Sequence, residues 1–315
     1  MGVLFPEGRL NMCPEGVAGL VGNKNFRSKM ESVLLSLPAF LIYSFVIIYP
    51  MISVFYMSAF KWNGIPSSSM EYTGLRNYMA FFMDNRFYTS LRNIGIFILS
   101  GFFLILPAAF FLATVIQSKM RGKRFFRTSY FFPQVISRTA IALMWYFLLY
   151  PEGGPVASLL HMIGLNNVDV NFLGSKTWAI YAITVINAWT YAGFNMLIFS
   201  AGLTSIPEEI YEAGVVDGVN PLQKLVYITV PMMKSSFQLF TINCVIGSIT
   251  TFEMVYATTG GGPGSASEVF GTLLYKNAFT YNNYGYSNAI GSFLIIASFA
   301  ATLILNFIFS KRERD

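Results

Sequence analysis

An all-α membrane protein with six transmembrane helices is the fold class this sequence predicts, and three observations predict it. Hydrophobic residues make up 54% of the 315 and charged residues only 11%, against roughly a quarter charged in soluble domains. The apolar residues gather into six runs near the ~20 residues that cross a bilayer, where a chain must satisfy its own backbone groups as helix. Lysine and arginine are spread unevenly over the segments between those runs.

The elements follow in chain order. Residues 1–32 read as a cytoplasmic tail. The first 23 carry glycine and proline but lack the basic start and apolar core of a cleavable signal peptide, so a mobile tail is expected, with Met12 and Met30 as alternative starts. The six spans fall at about 33–58, 91–116, 130–150, 178–203, 236–258 and 286–309, within one domain at 33–310, and 311–315 form a second tail. Pro133, Gln134, Ser137 and Arg138 interrupt the first half of the third span. Outer loops at about 59–90, 151–177 and 259–285 are too short for separate domains. Lys24, Arg27, Lys29, Lys119, Arg121, Lys123, Arg124, Arg127, Lys224, Lys234, Lys311, Arg312 and Arg314 lie on one side of these spans. Lys61, Arg76, Arg86, Arg92, Lys176 and Lys276 lie on the other. The heavier set marks the cytoplasm, which holds both termini. The run Lys119 to Arg127 anchors a short membrane loop against lipid, and nucleic acid is not an expected partner.

Several kinds of chemistry are excluded. Cys13 and Cys244 are too few and too far apart for a disulfide framework or a CxxC site, and His161 is the single histidine, so neither a histidine triad nor a multi-histidine metal site can form within the chain. The turn TTGGGPGSAS at 258–267 lacks the lysine of a phosphate-binding loop and follows a membrane run rather than a strand. No internal repeat of the kind many secondary transporters carry stands out.

Between the fourth and fifth spans, within 204–234, the sequence turns polar. Ser205-Ile-Pro-Glu208 has the pattern of a capping box with proline in the first turn, predicting a short helix over about 206–214 that ends near Gly214. Asp217-Gly218 supplies a turn, and Asn220-Pro221 reads as the cap and first residue of a second short helix, broken or bent at Pro231. Ile210, Tyr211, Ala213, Val215, Val216 and Val219 are too many apolar residues for a freely solvated loop. Either a protein partner covers them, or the segment is an interfacial helix packed on its own bundle and headgroups.

The run EAGVVDGVNPLQKLVYITVP resembles the EAA motif of the membrane subunits of ATP-binding cassette importers: Glu212, Ala213, Gly218, Ile228 and Pro231 match in register, while Gly214 stands for the second alanine and Val230 for a leucine. The stretches PAFLIYSFVIIYPMISVFYMSAFKWNG, GLRNYMAFFMDNRFYTSLRNI, RGKRFFRTSYFFPQVIS, TTGGGPG and YGYSNAIG extend the resemblance over nearly all of 33–310. They are most similar to the first permease subunit of the maltose, glycerol-3-phosphate and multiple-sugar type, without the large outer domain of some maltose-type members. The resemblance implies a heterodimer with a second permease subunit, two copies of a cytoplasmic ATPase, and a solute-binding protein outside. It implies a carbohydrate as the solute, coupling to the ATPase through Glu212, Ala213, Gly214, Asp217, Gly218, Ile228 and Pro231, and no catalytic residue, metal or cofactor in this chain, since ATP is bound by the partner subunits. The rival class, a self-sufficient secondary transporter or channel, should carry paired intramembrane acids or a filter-like loop.

Five further residues are candidates for the pathway. Arg138 falls near mid-membrane, where a charge is usually functional; it either contacts the solute or faces the bundle as an ion pair or snorkelling group. A pair with Glu253 is not expected, because counting rise along straight spans leaves about two turns of depth between them. Asn187, Tyr191 and Asn195, spaced by four, share a face of the fourth span, with Trp189 at its margin. Their amide and aromatic groups suit sugar hydroxyls and ring faces, and interhelical hydrogen bonding explains the asparagines equally. Asn243 in the fifth span reads the same way.

Overall fold

The computed structural model describes residues 34–117, 122–164 and 171–311. Cys13, Lys24, Arg27, Lys29, Lys119, Arg121, Arg312 and Arg314 lie outside them. The chain divides into two compact units, the boundary lying between Ser53 and Val54. Helix α1 spans Leu34–Ser58, and none of its residues from Leu34 to Ser53 is buried.

In the second unit a two-stranded ribbon follows. Phe60–Lys61 (β1) pairs antiparallel with Glu71–Tyr72 (β2), Phe60 opposite Tyr72. Helices α2 (Arg76–Met83) and α3 (Asn85–Gln117) come next. Asp84 joins them as the α3 N-cap: its carboxylate accepts from the Arg86 backbone N–H at 2.9 Å and pairs with the Arg86 guanidinium at 2.8 Å. Beyond are α4 (Lys123–Val135), α5 (Arg138–Leu148), α6 (Pro155–Met162) and α7 (Ala179–Thr204). The remainder comprises α8 (Glu208–Val216), α9 (221–232), α10 (Lys234–Ile249), α11 (Glu253–Thr259), α12 (270–280) and α13 (Tyr284–Lys311).

Among the described residues, α1, α3, α7 and α13 are long and apolar enough to cross a membrane, and α10 with α11, bent by 44° at Thr250–Phe252, form a fifth candidate. The expected third span is divided. Its stretch is shared by α4 and α5, separated where Ile136 and Ser137 adopt extended ψ values of 144° and 132°. Pro133 lies inside α4 just before this break.

Small residues let the central helices approach closely, the packing that serves helices in lipid. Ala109 and Ala113 of α3 are fully buried in a cluster with Ala188, Met196 and Phe199 of α7 and Phe240 of α10. Gly193 of α7 lies against the Tyr130 carbonyl of α4, where a Cβ would collide with backbone. Near one end of this packing Gln117 Nε2 donates to Ser200 O at 3.0 Å and Thr204 Oγ1 at 2.6 Å, tying α3 to α7. A second cluster joins Phe97, Ile141, Ile180, Ile183, Ile186 and Val255, and a third packs Phe81, Phe87, Phe270 and Tyr286. The turn after α11 is pinned by the buried Glu268, whose Oε2 accepts from Lys276 Nζ at 2.7 Å. Asn93 Nδ2 donates to Ala266 O and Glu268 O.

Candidate functional site

A cavity of about 580 Å³ opens where Phe97 and Met254 of one cluster face Ile105 and Phe240 of another. Arg138 of α5, Asn187, Tyr191 and Asn195 of α7 and Asn243 of α10 all line it. The five residues singled out from sequence thus come from three helices to one space. The α7 face is set by helical periodicity, since residues four apart stack on one side. Asn195 Nδ2 donates to Tyr191 O at 2.9 Å, which leaves its buried Oδ1 without a partner. Trp189 points away, exposed, its ring 5.7 Å from that of Trp145.

The expectation that Arg138 and Glu253 stand too far apart is corrected. Arg138 Nη1 lies 3.7 Å from Glu253 Oε2. Depth counted along unbroken helices fails because both spans are broken. Arg138 is the first residue of α5 and Glu253 the first of α11, so two helix starts, rather than two points on straight rods, carry the charges. The Arg138 guanidinium also lies over the Tyr191 ring, 5.4 Å from its centroid, a cation–π arrangement. Gln134, Ser248, Thr250 and Thr251 complete the polar lining and were missed in sequence. The polar run Ser248–Glu253 interrupts the fifth span much as Pro133–Arg138 interrupts the third, and that parallel was the available signal.

The segment between α7 and α10 has the two predicted helices, with changed ends. Ser205 does not cap α8: its Oγ donates back to Gly202 O at 2.8 Å, and Pro207 takes the N-cap position without a side-chain bond. The helix runs on past Gly214 to Val216, and the reversal is made by Gly218 at φ +72°, a conformation suited to glycine. Asn220 caps α9 reciprocally: Gln223 N donates to Asn220 Oδ1 at 2.8 Å and Asn220 N to Gln223 Oε1 at 3.0 Å. A π-helical stretch at Lys224–Thr229 then carries the chain through Pro231 to Met233.

The two helices brace one another. Lys224 Nζ sits 4.0 Å from the centroid of the Tyr211 ring, and the Tyr211 hydroxyl lies 3.3 Å from Thr229 Oγ1. Gly214 is buried, and a methyl there would press on Ile228 Cδ1 at 3.0 Å, which is why glycine allows the tight pairing. Ile228 is half-buried behind it, while Glu212, Ala213, Asp217 and Pro231 are exposed. Of the apolar residues, Ile210, Tyr211 and Val219 turn inward, whereas Val216 is 87% and Tyr227 75% exposed.

Comparison with known proteins completes the site. The chain is 34% identical over 280 residues to the probable ABC transporter permease protein YurN of Bacillus subtilis, covering 88% of this chain and 95% of that protein. It is 30% identical to the multiple sugar-binding transport system permease protein MsmF of Streptococcus mutans, over 79% of this chain and 84% of that one. A bacterial ABC transporter involved in the import of the acidic polysaccharide alginate contains a chain of the same fold, with a TM-score of 0.78 at 22% identity over 91% of this chain and 98% of that one. Residues 105–314 match the description "binding-protein-dependent transport system inner membrane component". With a multi-pass set of apolar helices, a polar cavity among them and this match over two thirds of its length, the chain belongs to the family of binding-protein-dependent transport system inner membrane components.

Proposed function

We propose that this chain is one of two permease subunits of an ATP-driven importer that moves a carbohydrate delivered by a binding protein on the outside. It forms half of the pathway and performs no chemistry, ATP being bound and hydrolysed by two copies of a cytoplasmic ATPase. The observation that carries the reading is the cavity itself, where Arg138, Asn187, Tyr191, Asn195 and Asn243 converge within an apolar bundle. Amide and hydroxyl groups beside an aromatic face match what a sugar needs: hydrogen bonds to hydroxyls and a flat surface for the ring. Relatives are named for multiple sugars and for arabinooligosaccharides, and others for sn-glycerol-3-phosphate and sulfoquinovosyl glycerol.

In this reading α4 and α5 together make a sixth crossing within a domain at 33–310, both termini lie in the cytoplasm, and α8 with α9 forms the coupling element at 204–234. Glu212, Ala213, Gly214, Asp217, Gly218, Ile228 and Pro231 serve that element from two sides. The exposed ones meet the ATPase, and Gly214, Gly218 and Ile228 hold the two helices together. Gentle solubilisation should recover a second permease and an ATPase with this chain; a lone subunit that transports in liposomes without ATP would rule the reading out. Alanine at Asn187 or Asn195 should lower uptake while leaving assembly and binding-protein-stimulated ATPase intact, and equal loss of assembly would assign those residues to packing.

A further inference from the structure

The relatives named above carry solutes that differ in charge, so kinship leaves open whether this cavity takes a neutral or an anionic sugar. Its lining includes two full charges, Arg138 and Glu253, among the described residues, and they are opposite. An unaccompanied arginine in such a space would attract anions strongly, because an interaction energy that is screened away in water persists in an apolar wall. With Glu253 Oε2 3.7 Å from Arg138 Nη1, the two formal charges sum to zero, and what remains is a short dipole whose field decays quickly.

The pairing leaves both groups free to bind. The separation exceeds the 2.7–2.9 Å of a charge-assisted hydrogen bond, and the side chains are 49% and 51% exposed. A guanidinium only donates and a carboxylate only accepts. A sugar hydroxyl does both, so neighbouring hydroxyls can accept from Arg138 and donate to Glu253 at once. A carboxylate or phosphate group cannot: it reaches Arg138 only by facing Glu253 at similar range. Tyr191 under the guanidinium holds the donor in place, and the other polar groups added by α7 and α10, Asn187, Asn195, Asn243 and Ser248, are uncharged.

We infer that Arg138 and Glu253 act as a charge-compensated, specificity-determining pair, which fits the cavity to an uncharged, hydroxyl-rich solute and turns anionic sugars away. This rests on the reading of the cavity as the solute pathway. Cys244 lines the same cavity and serves as a reporter of its field. In the complete importer in proteoliposomes, modification of Cys244 by anionic and cationic methanethiosulfonates is followed by peptide mass spectrometry. Relative to a free thiol, the native protein should favour neither reagent. Glu253→Gln should shift the ratio at least fivefold toward the anionic reagent and Arg138→Gln as far toward the cationic one, and the double variant should return to the native ratio. A purely structural brace between α5 and α11 would give the same shifts, since either neutralisation leaves one unpaired charge, so selectivity itself is read from uptake. Uptake of labelled maltose and raffinose is compared with that of glucose 6-phosphate and a galacturonate disaccharide. Import of an uncharged sugar supports the inference. Import of either anionic probe by the native importer, or ratios that both single variants leave unchanged, overturns it while the importer reading stands. If the native assembly shows no ATP-dependent uptake of any of these while its binding protein stimulates no ATPase, the importer reading falls first.

Discussion

Glu212 stands on the exposed side of α8, two residues before the buried Gly214. Among the described residues the Glu212 carboxylate has no ion-pair partner to lose, and it is available to a basic group on another protein. Glu212→Ala should therefore leave insertion and pairing with the second permease intact while weakening ATPase attachment, by about tenfold or more if the contact is buried in the complex. Glu208→Ala, in the first turn of α8, should be milder, since it removes mainly a favourable helix-start charge. Co-purification of the ATPase with each variant measures both, and full attachment in Glu212→Ala would make α8 an interfacial helix. At this scale the sequence was legible where local chemistry decides. Asn220-Pro221 and Asp217-Gly218 do what their residue types dictate. Ser205 was misread because its hydroxyl had an equally near acceptor behind it, the Gly202 carbonyl.

At the scale of elements the spans of α1, α7 and α13 were legible from length and hydropathy within a turn at each end, while α3 begins six residues, nearly two turns, before the expected second span. The pairing of Arg138 with Glu253 was not, because a break changes depth and direction together and leaves only a weak polar signature, as in Ser248–Glu253. The junction of α2 and α3 offers a test of how such ends are fixed. Burial alone would raise the Asp84 pKa, but hydrogen bonds from the Arg86 side chain and backbone, its charge, and the Tyr286 hydroxyl outweigh it and hold the carboxyl below its ordinary value. A depressed native pKa contributes stability above the unfolded value near ~3.9, lost as pH falls through the native one. Asp84→Asn should thus lower the melting temperature by a few degrees at pH 7, and the gap should close on acidification below pH 4. A gap that widened with acid would refute the assignment. Gly193→Ala should disturb the seat of α4 on α7, since the new methyl meets the Tyr130 carbonyl rather than a movable side chain; loss of expression or thermal stability would register it.

For the whole molecule, composition identified a membrane protein and the EAA-like run identified its family, because both are properties of sequence that need no contact map. The cavity was legible only as a set of residues: nothing in the linear order says that α5, α7, α10 and α11 enclose one space. Helix α7 runs from Ala179 to Thr204 with no proline and no break, whereas the chain is interrupted between α4 and α5 and between α10 and α11. It bears Asn187, Tyr191 and Asn195 in its middle and delivers the chain to α8 at its end, about 14 Å beyond Asn195. The cavity face and the start of the α8–α9 segment are thus fixed in phase on a single shaft, so that a turn imposed at one is a turn at the other. Inserting one alanine between Asn195 and Thr204 would leave the residues of both sites unaltered yet rotate one against the other by about 100°. Transport should be lost with ATPase binding preserved, and a four-residue insertion, close to a whole turn, should recover more of it than a two-residue one.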